Sequence, residues 1–452
     1  MLGHGQFGGE MSAGYESSSI NESRRRIWLA AAAVPFLACA VLAFGYAYDA
    51  PYWDEWSYAA PIVRAFDGEL TLSDFVVRVN EHICIVSSLI VIPLARLTHW
   101  DLRWEIGVIL ALYAGIFAMM VRALISVERE PGSRGSLWAA PIIACALFSG
   151  SQYVLWNWGL HACLALGVFF SVAAILALGG GSLTARRLVI AGICGWAATY
   201  SVGGGLGVWP AGAIVLLMRM RSERRRARNV LAAWFVIGVI AVTVYFVAAG
   251  VTPSTLNPGR QSPLSYPVYI LAFLGGPLAV GNGGAAIVLG TLLILLLGVW
   301  IVRSLSRDTP AIRAALPIVA GLVSAAVAVG TLTALKHAHE GAANAISSRF
   351  LPWGTLAWCA LAIGIYAEFP NWGLAPRRIR ATVAVALIAI LASSALGAYK
   401  ADERYDAFLL GRRALIENPE SDDLKFLHPE PESIAESREL LIKHRLTVFR
   451  ER

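Results

Sequence analysis

Apolar runs of similar length, separated by short polar or basic stretches, repeat along almost the whole chain. Each approaches the roughly 20 residues that an α-helix needs to cross a bilayer core. The first, Ile27 to Ala47, follows Arg24-Arg25-Arg26 and shows no small-residue cleavage site, so it reads as a retained anchor rather than a removed signal. Further runs fall at 104–126, 137–150, 160–178, 188–200, 205–218, 230–250, 284–302, 314–335, 350–367 and 381–398. Two others fit less well: 83–98 is short, and 268–281 is broken by Gly275-Gly276-Pro277.

The basic residues decide how these runs are threaded. Lys and Arg gather in cytoplasmic loops, and here they cluster at Arg24 to Arg26, Arg122 to Arg134, Arg186-Arg187, Arg219 to Arg228, Arg303 to Arg313 and Arg377 to Arg380. Five runs lie between Arg26 and Arg186, and an odd number cannot join two loops on one side. Segment 83–98 is therefore expected to lie on the outer surface, and the same parity makes 268–281 re-entrant or interfacial. The expected fold is an all-α polytopic transmembrane helical bundle of about eleven spans plus two interfacial or re-entrant helices. Its layout has three parts: a disordered cytoplasmic segment 1–26 (Gly/Ser-rich over 1–23), a transmembrane region 27–398 with a large outer loop 48–103, and an extracytoplasmic tail 399–452. Smaller outer loops are 150–159, 201–204, 251–283 and 336–349. The tail is too short for a sizeable core of its own, so it is expected to pack on the outer face.

Composition agrees. Of 452 residues 57% are hydrophobic and 15% charged, with mean hydropathy +0.62, too little charge for a soluble protein of this size. The formal charge of +7 is then mainly a topology signal, and no nucleic-acid partner is needed to explain it. Cys39, Cys84, Cys145, Cys163, Cys194 and Cys359 sit in or beside apolar runs without CxxC spacing, so they read as small buried hydrophobes rather than zinc ligands or disulfides.

Acidic residues carry the next signal. None lies between Glu130 and Glu223 or between Asp308 and Glu340, and no expected span holds one in its interior. Coupled carriers commonly use intramembrane carboxylates, so their absence counts against that class. The first outer loop instead holds Asp49, Asp54, Glu55, Asp67, Glu69, Asp74 and Glu81. Asp54 and Glu55 stand between Tyr52-Trp53 and Trp56, aromatics suited to the membrane interface. Leu70 to Phe75 reads as the capped start of a short surface helix. A carboxylate held rigidly there, partly desolvated, suits a base beside an acceptor hydroxyl or a ligand for a cation. The alternative is that the pair caps a helix and solvates the loop.

Other candidates sit in the remaining outer loops. Glu81-His82 offers a second acid/base or metal position, or an interfacial salt bridge. Arg349 stands where an outer loop re-enters the membrane and could clamp a lipid phosphate bidentately, or anchor a helix end. His337 and His339, with Glu340, form a loosely metal-like His-x-His, or simply a solvated loop. Gln152, Asn157 and His161 could line a sugar pocket beside an aromatic belt. Gly203 to Pro210, with Trp209, breaks an apolar run and is expected to form a tight outer turn or a broken helix facing a cavity. No strand and no GK[ST] accompany these glycines, which rules out a phosphate loop.

Taken in order, Trp53-Asp54-Glu55-Trp56, Asn80-Glu81-His82, Gln152-Tyr153 with Trp156-Asn157-Trp158-Gly159, Gly205-Leu206 with Trp209-Pro210, and Ser348-Arg349-Phe350 resemble a group of bacterial polytopic proteins related to the GT-C superfamily of membrane glycosyltransferases. The resemblance runs over about 45–452. In such relatives the late motif more often reads Ser-Arg-Tyr and the helix opener Asn-Glu-His-Arg, and here Phe350 and Ile83 stand in the last places. The resemblance implies a GT-C-like fold in the bacterial cytoplasmic (inner) membrane and transfer of a sugar from a polyprenyl-phosphate-linked donor to an envelope glycan or lipid acceptor on the outer face. It implies Asp54 as base, Glu55 as its partner and Arg349 as the donor-phosphate clamp, with a divalent cation at Asp54 and Glu55 left open. Two other classes compete: a lipid-linked glycan polymerase or ligase, which would not need the acidic pair, and a lipid or glycan transporter or flippase, which should show repeats and polar residues within spans.

Overall fold

The computed structural model describes residues 8–128, 137–250, 262–370 and 372–450. The end of the basic cluster at Arg134 and the loop portion 251–261 fall outside them. Helices dominate. Among the described residues the only sheet is a two-stranded hairpin, β1 (Arg78–Val79) against β2 (His82–Ile83).

The chain is an integral membrane bundle. Eight stretches are long and apolar enough to cross a membrane. Their outward faces are apolar, with Val41, Phe235, Val247, Leu295, Val302, Val385 and Ile388 all exposed. A soluble fold does not leave such faces open to water, whereas lipid accepts them. The long helices are α1 (Gly8–Gly45), α4 (Arg103–Val127), α7 (Ala162–Gly179), α9 (Val208–Ala249), α11 (Gly283–Leu305), α12 (Pro310–His337) and α15 (Arg377–Glu417), with α5 (Ala139–Leu147) and α6 (Tyr153–Asn157) forming one broken span.

All eleven expected spans fall on helices. The three beyond the eight stretches have separate reasons. Spans 188–200 and 350–367 are α8 (Ala185–Thr199) and α14 (Leu351–Glu368), which are not among the eight. Spans 205–218 and 230–250 are two arms of α9, which leaves helical geometry at Glu223 (φ −134°, ψ 50°) and doubles back. The Trp234 indole donates to the Trp209 carbonyl at 2.9 Å, and the two rings lie 4.7 Å apart. The two misfits are the short helices α3 (Ile85–Thr98) and α10 (Ser265–Gly275), neither long enough to span. Between α12 and α14 lies the short α13 (Gly341–Ala345).

Two boundaries differ from expectation. Helix α1 begins at Gly8, so from there the Gly/Ser-rich segment expected to be disordered continues the anchor helix backwards. Helix α15 does not stop near 398 but runs on to Glu417. Residues 399–417 are rich in Ala, Leu, Arg and Glu, all good helix formers, so nothing stops propagation when the membrane ends. Gly397 allows α15 to cross Gly150 at backbone contact, where a Cβ would collide with the Gly150 carbonyl.

The tail then folds over the loop at 48–103, as expected for a segment without its own core. Arg412 bridges to Asp49 at 2.7 Å. The Leu427 carbonyl accepts from the Trp53 N–H at 2.6 Å and the His99 carbonyl from the Thr447 N–H at 2.9 Å. Arg450 reaches Asp101 at 3.0 Å, and α16 (Glu432–Lys443) ends beside Asp67, which His444 approaches to 3.3 Å. Loop and tail together cap one end of the bundle.

Candidate functional site

The cap decides where each carboxylate of the opening pair points. Trp53 adopts a left-handed backbone (φ 48°), fixed by its bond to Leu427, and a 3-10 turn Trp53–Tyr58 follows. Successive side chains of so tight a turn diverge. Asp54 turns outward, half-buried, and accepts from the Asn80 amide at 3.0 Å. Asn80 is the left-handed residue of the β1–β2 turn (φ 52°), a conformation that asparagine tolerates. The other Asp54 oxygen, Oδ1, takes no hydrogen bond from the described residues. Asp54 also lies within electrostatic reach of His82.

Glu55 turns inward and is 1% exposed. Its Oε2 accepts from the Tyr52 N–H at 3.2 Å, so it caps its own turn. Its Oε1 meets Glu105, in the first turn of α4, at Gly159, where a Cβ would lie 2.8 Å from Glu55 Oε1 and 2.7 Å from Glu105 Oε2. Only glycine lets both carboxyls into that space. Burial, then the Glu105 charge, push the Glu55 carboxyl well above the ordinary range. The Tyr52 and Leu160 N–H groups and the Trp158 indole pull the other way, although the indole and Oε1 are not aligned for a full hydrogen bond. Glu105 accepts from the Trp100 indole at 3.2 Å.

Glu55 is therefore not a second carboxylate beside Asp54. This also bears on a divalent cation, because the two acids face opposite sides of one turn. Among the described residues no group of three His, Cys, Asp or Glu is placed to hold a metal. The donor set does not fit a cation at Asp54 and Glu55, and no step is derived through one.

Around Asp54 the cap gathers residues far apart in sequence. Glu81 forms an ion pair with Lys336 at the end of α12. Burial raises the Glu81 carboxyl, but the Lys336 hydrogen bond and the His82 charge outweigh it and hold it below the usual value. Burial lowers His82, with Glu81 opposing and Lys336 reinforcing. Its Nδ1 has no partner and packs on Gly203, where a Cβ would sit 2.6 Å away. His337 lies in electrostatic reach of His82, bonds Glu340 at 2.6 Å and stacks 5.9 Å from Phe350. Arg349 follows, exposed, its guanidinium 4.8 Å from the Phe350 ring. His339 does not share this face: the helix ends at His337, so its ring swings out with a side chain 53% exposed. His337 and His339 form no metal pair.

The break between α5 and α7 supplies the floor. Gln152 donates to the Ala146 and Leu147 carbonyls at 3.1 Å each, satisfying the frayed end of α5, which makes it a structural residue. Asn157 is 1% exposed with both amide atoms unpaired. His161 is 6% exposed with Nδ1 unpaired, its ring 4.6 Å from Trp158. Ser348 ties this floor to the Arg349 loop by accepting from the Val154 N–H at 3.1 Å.

Trp209 is not part of the site. Its indole donates to Thr199 at 2.9 Å and packs on Trp234 between the α9 arms, beside an apolar crevice of about 370 Å³. Three participants lacked a recognisable sequence signal: Glu105, which reads as the edge of a span; Lys336, which reads as a helix-end anchor; and Arg404 in the mixed-charge tail. Arg404 donates to the Tyr52 hydroxyl at 2.9 Å.

No protein-family model matches the chain, and no curated protein matches it.

Proposed function

We propose that this protein is a membrane glycosyltransferase, moving a sugar from a polyprenyl-phosphate donor to an envelope glycan or lipid acceptor. One observation carries the reading. Asp54, with a free acceptor oxygen, and Arg349, with no carboxylate within ion-pair distance, belong to one chain of neighbours through His82, His337 and Glu340, at the capped end of a membrane bundle. That combination serves transfer from a lipid-carried phosphate: a base for the incoming hydroxyl and a cation for the departing group.

In this reaction the acceptor hydroxyl gives its proton to the Asp54 carboxylate as its oxygen bonds the anomeric carbon. The bond from that carbon to the phosphate oxygen breaks, and its electron pair leaves on the polyprenyl phosphate. Arg349 balances the charge that develops there. Glu55 acts as a positioning residue, since it fixes the turn that aims Asp54. The capped end is extracytoplasmic in this reading, with the N-terminus cytoplasmic in a bacterial inner membrane, which puts the Arg-rich connections on the positive-inside face.

The test is release of polyprenyl phosphate by the protein in phosphatidylcholine proteoliposomes, given a panel of polyprenyl-phosphate pentoses and hexoses with cell-envelope extract as acceptor. Asp54→Asn is expected to lower turnover about 10³-fold or more, in line with removal of a general base, and Arg349→Ala comparably, with thermal unfolding unchanged. Full activity in both variants sinks the assignment.

A further inference from the structure

We infer that Arg404 is the second arm of a phosphate-binding site, closing with Arg349 around His161. The inference rests on the transferase reading only for what carries the phosphate. A two-guanidinium phosphate site stands on the geometry alone.

Arg404 belongs to the part of α15 that runs on into the cap, and Arg349 to the loop before α14, so they are 55 positions apart on different elements. Three links bring them together. Arg404 donates to the Tyr52 hydroxyl at 2.9 Å and lies 5.9 Å over the Tyr52 ring. Tyr52 packs edge-on against Trp158 at 5.1 Å, and Trp158 against His161 at 4.6 Å. Tyr153 lies against Arg404, while the next residue, Val154, bonds Ser348, the neighbour of Arg349. His161 lies within electrostatic reach of both guanidiniums.

The charges around His161 do not balance. Neither Arg349 nor Arg404 has a carboxylate within ion-pair distance among the described residues, whereas Arg412 pairs with Asp49 and Lys336 with Glu81. Glu340 is the nearest acidic influence on Arg349, but its two oxygens are taken by His337 and Asn344 at 2.6 Å each. Arg404 is met by tyrosine hydroxyls, which accept a hydrogen bond without cancelling the charge. His161 is buried and held at the Val154 backbone, and its Nδ1 has no partner among the described residues. Two guanidiniums without carboxylate partners, both within electrostatic reach of a buried imidazole with a free Nδ1, suit a multivalent oxyanion, for which Arg provides bidentate geometry. A phosphate monoester, with up to two negative charges, matches two such groups better than a carboxylate or a phosphodiester.

Native mass spectrometry of the detergent-solubilised full chain tests this with three probes: geranylgeranyl phosphate, inorganic phosphate and phosphatidylglycerol. Geranylgeranyl phosphate is expected to bind, and Arg404→Gln to weaken it about tenfold or more, as should Arg349→Gln. Arg404→Lys, which keeps charge and bulk but loses the fork, should fall between, and guards against a fold defect in Arg404→Gln. If inorganic phosphate competes as well as the lipid probe and with the same Arg404 dependence, the site holds and its ligand is free phosphate. Phosphatidylglycerol binding equally well, or geranylgeranyl phosphate binding unchanged in Arg404→Gln, overturns the proposal and leaves Arg404 as an anchor for Tyr52. Arg404-dependent binding in a protein that transfers no sugar would reject the transferase reading while leaving the phosphate site intact.

Discussion

Adjacent residues of one short turn take opposite tasks here. Asp54 turns outward with one oxygen free of hydrogen bonds among the described residues, while Glu55 is shut in with Glu105. The buried member predicts a pH signature. Its carboxyl is raised above the ordinary 4.5, so between 4.5 and the raised value the folded state binds a proton that the unfolded chain has released. Stability from this group is complete below 4.5 and is lost as pH rises through the raised value. The melting temperature of wild-type protein in detergent should therefore fall as pH is taken upward. Glu55→Gln, which keeps the shape and cannot ionise, should flatten that fall and melt higher at alkaline pH. A wild-type curve that rises with pH would show Glu55 to be ionised when folded.

At the scale of elements, apolar runs and basic clusters were enough to put all eleven expected spans on helices, although the short helix over Ala59–Asp67 in the first loop was not expected. Parity of the basic clusters, rather than run length, set the two short helices apart, since 83–98 is a longer run than the expected span 188–200. The Arg219 to Arg228 cluster marked the turn at Glu223 between two passes. Ends were less legible. Helix α15 overran its expected boundary because hydropathy marks where a membrane stops, not where a helix does, and 399–417 has high helical propensity. The inward turn of Glu55 was hidden for a similar reason: its partner, Glu105, sits at a span edge, where a carboxylate looks like a solvated helix start. The convergence of Asp54 with the 336–349 loop came from tertiary packing, which one sequence does not encode locally. The α15 crossing gives an element-scale prediction. Gly397→Leu must push the helix off the Gly150 backbone, which cannot yield as a side chain can. Overpacking of that kind costs about 1–3 kcal/mol, so a lower melting temperature is expected together with lost activity. An unchanged melting temperature would mean that the crossing is loose.

The whole molecule is a membrane bundle closed at one end by a cap made from its second and its last fifty residues or so. If the cap is extracytoplasmic, a single cysteine at Ser57 in a background free of native cysteines should react with an impermeant maleimide on intact cells. One at Ser182, in the connection between α7 and α8, should react only after the membrane is opened. The opposite pattern would invert the topology and place the candidate site in the cytoplasm.

The contacts of the last helix and tail with the first loop set an order in time. Arg404 meets Tyr52 across 352 positions, Arg412 meets Asp49 across 363 and Lys443 meets Asp67 across 376. During synthesis the loop emerges early, and it waits for nearly the whole remaining chain before its partners emerge. The hydrogen bond that fixes Trp53, and with it the divergence of Asp54 from Glu55, depends on Leu427. Insertion of the bundle and completion of the site are then separate events. A nascent chain stalled before residue 404 would already be threaded through the membrane, yet its aspartate would not be aimed.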